Sequence, residues 1–163
     1  MFDLNEVLDY CIKRIKMHYP KKRIHIWGNF KQTKMSIRVD DFIFELFTNL
    51  LDNAVKYDSR EQVEIGINLN KVKWKSSDYI RIDILDRGCG IPPAQRNIIF
   101  KRFKSSKPGP NSSGLGLSIV KALVLRYGGD IKIKDRVAGD YQKGTVFSIY
   151  LPNETNKNNN NSK

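Results

Sequence analysis

Apolar positions recur along this chain first at helical and then at strand spacing. Leu4, Val7, Leu8, Cys11, Ile12 and Ile15 lie three and four residues apart, which predicts an amphipathic helix over residues 3–17 with Asp3 as N-cap. Ile24 and Ile26, then Met35, Ile37 and Val39, alternate with polar residues around Gly28-Asn29, so Arg23–Trp27 and Thr33–Val39 are expected to form a hairpin. Asp40-Asp41 can cap a second helix running from Phe42 to Tyr57. Val63, Ile65, Ile67 and Leu69 predict a third strand and Ile80, Ile82 and Ile84 a fourth, joined by the basic segment Lys71–Ser77. A short helical piece carrying Ile98, Ile99, Phe100 and Phe103 follows Pro92-Pro93. A helix headed by Gly114-Leu115-Gly116-Leu117 and stopped by Gly128-Gly129 comes next, followed by strands at Ile131–Ile133 and Val146–Leu151.

The exceptions to apolarity in the second helix carry information. At 100° per residue Glu45, Asn49, Asn53 and Lys56 share one narrow stripe beside a broad apolar face. Asparagine is a poor helix former, so two of them one turn apart suggest work for the amides. An amide oxygen is a hard ligand that suits Mg²⁺, an ion usually shared with substrate phosphates. Two glycine pairs, Gly88/Gly90 and Gly114/Gly116, bracket one long connection. The first pair follows a strand and Asp86, whose carboxylate suits the amine edge of a base; the second heads a helix whose free amides suit an anion. Between them residues 104–113 contain no apolar side chain and are rich in Pro, Gly and Ser, the composition of a mobile lid, with Phe100 and Phe103 as its anchor.

Size and charge narrow the picture. A chain of 163 residues is expected to form one domain, 1–152, with the Asn-rich residues 153–163 as a disordered tail. Cys11 and Cys89 stand apart, with no Cys or His at metal-ligand spacing, which argues against structural zinc and fits a reducing compartment. No apolar run reaches the ~20 residues of a membrane span, which predicts a cytoplasmic domain whatever anchors its parent. The formal net charge of +12 favours polyanions of any kind. Trp74 among Lys71, Lys73 and Lys75 raises a nucleic-acid reading, but the basic residues are scattered and no nucleic-acid partner is expected.

Taken in order, Asn49-Leu-Leu-Asp-Asn53-Ala-Val-Lys56-Tyr57, Asp86-Arg-Gly88-Cys-Gly90, Phe100-Lys-Arg-Phe103, Gly114-Leu-Gly116-Leu and Gly144-Thr145 resemble the N, G1, F and G2 boxes and closing Gly-Thr of the histidine-kinase catalytic and ATP-binding domain. That domain belongs to the superfamily of gyrase, heat-shock chaperone and mismatch-repair ATPases. The resemblance implies a Bergerat-type fold, a two-layer α/β sandwich with a mixed sheet, helices on one face and ATP under a lid. Asp86 would bind the adenine amine with Thr145 near the same edge, and Gly88, Gly90 and Ile91 would line that end. Asn49 and Asn53 would hold Mg²⁺ and the phosphate side, with Lys56 as a phosphate contact and Tyr57 as a wall. Gly114, Leu115, Gly116 and Leu117 would bring the helix N-terminus to the phosphates, and Lys107, with Arg102 and Lys104, would reach them from the lid. Asn49 and Lys107 would serve catalysis.

Two departures shape the expected activity. ATP-hydrolysing relatives carry a glutamate where this chain has Asn49, so hydrolysis is expected to be slow, with Glu45 in a supporting role. Neither His18 nor His25 has the surroundings of a phospho-acceptor, so the acceptor histidine is expected on a dimerisation domain supplied in cis or in trans. The expectation is therefore a monomeric kinase module of a homodimeric two-component parent, acting ahead of a response regulator. A non-catalytic nucleotide-binding regulatory module and a serine kinase of the same fold are the alternatives.

Overall fold

The computed structural model describes residues 1–32, 34–101 and 114–153. Its main sheet has five strands in the order β2-β4-β5-β7-β6, formed by β2 (Arg23–Trp27), β4 (Gln62–Trp74), β5 (Ser77–Leu85), β6 (Asp130–Val137) and β7 (Asp140–Pro152). All neighbours are antiparallel except β2 and β4, so the sheet is mixed. Three helices, α1 (Leu4–His18), α2 (Phe42–Lys56) and α3 (Gly116–Arg126), form the second layer on one face, with α2 between the other two. Alternation along the strands turns Val63, Ile65, Ile67, Ile80, Ile82, Ile84 and Ile149 into that layer, where all are buried. Leu4, Leu8, Ile43, Phe47, Leu50, Val120 and Val124 meet them from the helices. The architecture is the expected two-layer α/β sandwich.

Polar ties fix α2 in its place. Asp3 caps α1 by accepting from the Asn5 amide at 2.9 Å, and Asp40 accepts from the Phe42 amide at the head of α2. The Tyr19 hydroxyl donates to Asp52 at 2.7 Å, joining the end of α1 to α2. The Tyr127 hydroxyl and Arg126 both donate to Asp40, joining the end of α3 to the start of α2.

Two expectations are corrected. Arg23–Trp27 and the segment after it do not pair as a hairpin: β2 runs parallel to β4, and only β3 (Ser36–Ile37) is extended, pairing antiparallel with β1 (Phe2–Asp3). The reason lies in Asn29. Its side chain accepts from the Leu69 amide at 2.7 Å and donates to the Leu69 carbonyl at 3.2 Å, stapling the end of β2 along β4 instead of folding it back. The basic segment Lys71–Ser77 is not a loop either. β4 and β5 continue through it to a two-residue turn, where Lys75 and Ser76 have φ of 49° and 63°, the paired positive values of a type I′ hairpin. Trp74 stacks on Tyr150 with ring centroids 4.3 Å apart, and the Lys132 ammonium lies 4.0 Å from its centroid, so the aromatic behind the nucleic-acid reading is engaged within the chain.

Candidate functional site

β5 delivers Asp86 to the top of the sheet, and the chain then turns sharply through Gly88 and Gly90. Asp86 is 9% exposed; its Oδ1 accepts from the Gly88 amide at 2.9 Å and the Thr145 amide at 3.1 Å, while its own amide donates to the Thr145 carbonyl. Burial pushes its pKa up to about 6, against the pull of those two amides and of Arg136, and with a push from Asp58. The turn needs glycine: Gly90 has φ of +71°, and a Cβ there would lie 1.7 Å from the Tyr141 carbonyl oxygen. On the helix side the loop is tied by the Cys89 amide, which donates to the Tyr57 carbonyl at the end of α2.

Asp86 lines a narrow cleft. Asn53 of α2 and Tyr57 at its C-terminal end line it, as do Gly88, Gly90 and Ile91 of the glycine loop. Leu117 of α3 and Thr145 of β7 close it. Three further residues enter it that pattern alone did not single out as ligand contacts: Cys89, Ile99 and Phe147. Phe147 carried a signal, since it shares the inward alternation of Thr145 and Ile149 in the last strand. Ile99 carried only apolarity. A mostly apolar cleft with one buried carboxylate at its base suits a flat heterocycle bearing an exocyclic donor.

The other predicted residues gather where α2 meets α3. The Asn49 amide donates to the Glu45 carbonyl at 2.9 Å, which directs its Oδ1 towards Gly116; a Cβ on Gly116 would lie 2.9 Å from that oxygen. Glycine at the head of α3 thus lets the two helices approach with the asparagine between them. The Asn53 Nδ2 is buried without a partner among the described residues. Lys56 extends 5.9 Å from the Tyr57 ring and does not line the cleft. Gly114 has φ of +65° and leads into Leu115, whose carbonyl accepts from the Ser118 hydroxyl at 2.7 Å inside the first turn of α3. Glu45 is exposed and lines a second groove with Arg14, Asp41, Thr48 and Asn49, so Asn49 opens onto that groove and does not line the Asp86 cleft. Arg102, Phe103, Lys104 and Lys107, with the rest of the predicted lid, lie outside the described residues, as does the tail from residue 154.

Among the described residues no three His, Cys, Asp or Glu side chains come together to hold a metal. The donors available at the α2–α3 junction are instead the neutral amide oxygens of Asn49 and Asn53. Such a set fits Mg²⁺ only when phosphate oxygens and waters complete its shell, which is how that ion usually binds.

Residues 38–155 match the model of the family described as histidine kinase-, DNA gyrase B- and HSP90-like ATPase, and the chain belongs to that family. Within it the chain corresponds to the catalytic ATP-binding domain of sensor histidine kinases. It is 33% identical over 153 residues to the signal transduction histidine-protein kinase/phosphatase MprB of Mycolicibacterium vanbaalenii, an alignment covering 92% of this chain and 30% of that protein. The chain therefore spans about a third of the length of this curated relative. Among solved structures, a mycobacterial sensor histidine kinase MprB superposes with a TM-score of 0.77 at 30% identity, covering 93% of this chain and 95% of that one. Full-length ShkA in complex with AMPPNP superposes with a TM-score of 0.69 at 21% identity, over 93% of this chain and 30% of that one, and shares the fold.

Proposed function

We propose that the cleft binds ATP with Mg²⁺ and that the chain transfers the γ-phosphoryl group to a histidine on a dimerisation domain outside the described fold, in a two-component pathway that passes it on to a response regulator. The observation that carries this reading is the buried Asp86 carboxylate. Two amides hold Oδ1, which leaves the carboxylate's other oxygen to accept from an adenine amine, while apolar Ile91, Leu117 and Phe147 flank the ring. From there α2 leads to Asn53 and Asn49, and α3 would turn the positive end of its dipole at Gly116 towards the phosphates. Asn49 and Asn53 would hold Mg²⁺, which neutralises phosphate charge when bound. The chain's own part is to orient the triphosphate for in-line attack and keep water from competing. Asn49 stands where hydrolysing relatives carry a glutamate, and an amide there cannot serve as the base that activates water, which supports slow hydrolysis. Neither His18 nor His25 lines the cleft, which supports an acceptor from elsewhere.

Radiolabelled ATP should leave the chain alone unlabelled. It should put acid-labile label on a separately supplied helical-hairpin domain bearing an acceptor histidine, and none on that domain with the histidine changed to glutamine. Transfer between separate pieces should be slow and depend on concentration, because no tether raises the local concentration. Rapid phosphate release by the chain alone would favour a hydrolase, and ATP binding with no transfer a regulatory module.

A further inference from the structure

The connection between α2 and β4 holds a charged cluster that no motif in the sequence marks. Asp58, 2% exposed, is gripped by its near neighbour: Arg60 Nε donates to Oδ1 at 2.9 Å, Arg60 Nη2 to Oδ2 at 2.6 Å, and the Arg60 amide to Oδ1 at 3.0 Å. Lys22 donates to the Asp58 main-chain carbonyl. A carboxylate this buried is costly unless its lone pairs are filled, and the guanidinium fork fills both oxygens. The fork has a second use. Arg60 Nη2 also donates to the Arg87 carbonyl at 3.1 Å, the peptide that joins Asp86-Arg87 to Gly88. The Arg87 side chain is held in turn by Glu64 of β4 at 2.6 Å, so the loop is caught by its main chain and by its side chain.

After burial and the two amide bonds, the same cluster also contributes to the field in which Asp86 ionises. The charged groups facing Asp86 are Asp58 from the α2–β4 connection, which opposes its charge, and Arg136 from β6, which favours it; the Gly88 and Thr145 amides bond to it directly. Arg60 matches the charge of Asp58. Without the guanidinium, Asp58 would stand buried and uncompensated beside a second buried carboxylate.

We propose that Arg60, oriented by Asp58, is a positioning residue for nucleotide recognition: it fixes the 86–90 loop through the Arg87 carbonyl and shields Asp86 from the charge of Asp58. This deepens the nucleotide reading of the cleft and rests on it. A brace alone and a brace that also tunes charge differ in their pH behaviour, since only the second moves the ionisation of Asp86.

The test is ATP affinity by calorimetry from pH 5.5 to 8 on the whole chain and on Arg60→Gln, Arg60→Lys and Asp58→Asn, alongside titration of the Asp86 carboxyl by carbon-13 NMR. The nucleotide's own phosphate titration is common to all four proteins and cancels in their ratios. Arg60→Gln should weaken binding at pH 7 about tenfold, the scale of one lost charge-assisted hydrogen bond, and move the Asp86 titration to higher pH. Asp58→Asn should move it to lower pH while also weakening binding at pH 8. Arg60→Lys should return the titration towards that of the parent without restoring full affinity, because an ammonium keeps the charge but not the fork; it also keeps the test open if Arg60→Gln fails to fold. Equal loss at every pH in both Arg60→Gln and Asp58→Asn, with Asp86 titrating unchanged, would overturn the proposal, as would unchanged affinity. A parent chain that binds no ATP would sink the nucleotide reading itself, and the NMR titrations would still decide whether Arg60 and Asp58 govern Asp86.

Discussion

At the Asp86 end of the cleft the groups that would meet a ligand are held by the main chain, whereas at the α3 end they are side chains and helix amides standing between two helices. Asp86 is bonded to the Gly88 and Thr145 amides, and the loop around it cannot shift without breaking contacts to Tyr57, Arg60 and Tyr141. Asn53, by contrast, keeps a buried amide nitrogen with no partner among the described residues, and the chain before Gly114, back towards Lys107, lies outside them. One end is already fixed by its own hydrogen bonds and has little to gain from a ligand. The other keeps an unmet donor among the described residues, which suits a phosphate oxygen.

The most severe way to break this contrast is Gly90→Ala. With a Cβ only 1.7 Å from the Tyr141 carbonyl and φ of +71°, the loop must move, at a cost of about 3 kcal/mol in urea unfolding and with loss of nucleotide binding. Gly139→Ala is the control: its φ is +78° with nothing within 4 Å, so only the backbone term of about 1 kcal/mol should appear and binding should be unchanged. Equal effects at the two sites would mean that the 86–90 loop is no tighter than a surface turn.

Acid titration probes the buried carboxylate next. The unfolded chain loses this proton near the ordinary aspartate value of about 3.9, while the native Asp86 keeps it until about 6. Between these values the native state binds more protons, so this group's contribution to stability falls as pH rises through the window and is flat above it. About two units correspond to about 2 to 3 kcal/mol. Other carboxylates, such as Asp58, are shifted the opposite way, since Arg60 outweighs the effect of burial there, so the quantity to measure is the difference between the parent and Asp86→Asn from pH 4 to 7. A difference independent of pH would mean that Asp86 titrates normally.

Asp86→Asn should also weaken ATP binding by about 10- to 100-fold at pH 7, because an amide donor would face the adenine amine. Calorimetry with ATP and GTP checks it; an unchanged preference would remove Asp86 from base recognition. Smaller still is the expected effect at the open end. Asn49→Ala and Asn53→Ala should each reduce ATP affinity about threefold to tenfold in the presence of Mg²⁺ and hardly at all in its absence, since the loss is that of a shared neutral ligand. Affinity that ignores Mg²⁺ in the parent chain would take both asparagines out of the cation's shell.

How much of this could be read beforehand depended on range. The polar stripe of α2, the strand leading to Asp86 and the glycine at the head of α3 are local signals, and the sandwich came from the family resemblance that their motifs carry. The partner of β2 was not legible, because Arg23–Trp27 pairs with residues nearly forty positions away and its neighbour in sequence offered an easier hairpin. Lys71 and Lys73 concealed a strand by charge: they sit on an extended hairpin whose turn residues, Lys75 and Ser76, take positive φ without glycine or asparagine to announce it. Asp58 and Arg60 belong to no local pattern, and only the fold brings Arg60 to the Arg87 carbonyl.

Because α2 carries Asn49 and Asn53 as well as the Tyr57 carbonyl that ties the glycine loop, one rod sets both the spacing and the phase of the two ends. Adding a single residue between Asn53 and Tyr57 would lengthen the rod by about 1.5 Å and rotate one end against the other by about 100°, so no repacking could keep both in the same cleft. The β4–β5 hairpin carries no such constraint, since its turn at Lys75-Ser76 lies at the far end of both strands from the Asp86 loop. Insertions and deletions in this chain are therefore expected to accumulate at that hairpin tip, and tags, probes or whole inserted domains belong there, while the span from Asn49 to Tyr57 admits substitutions but no change of length.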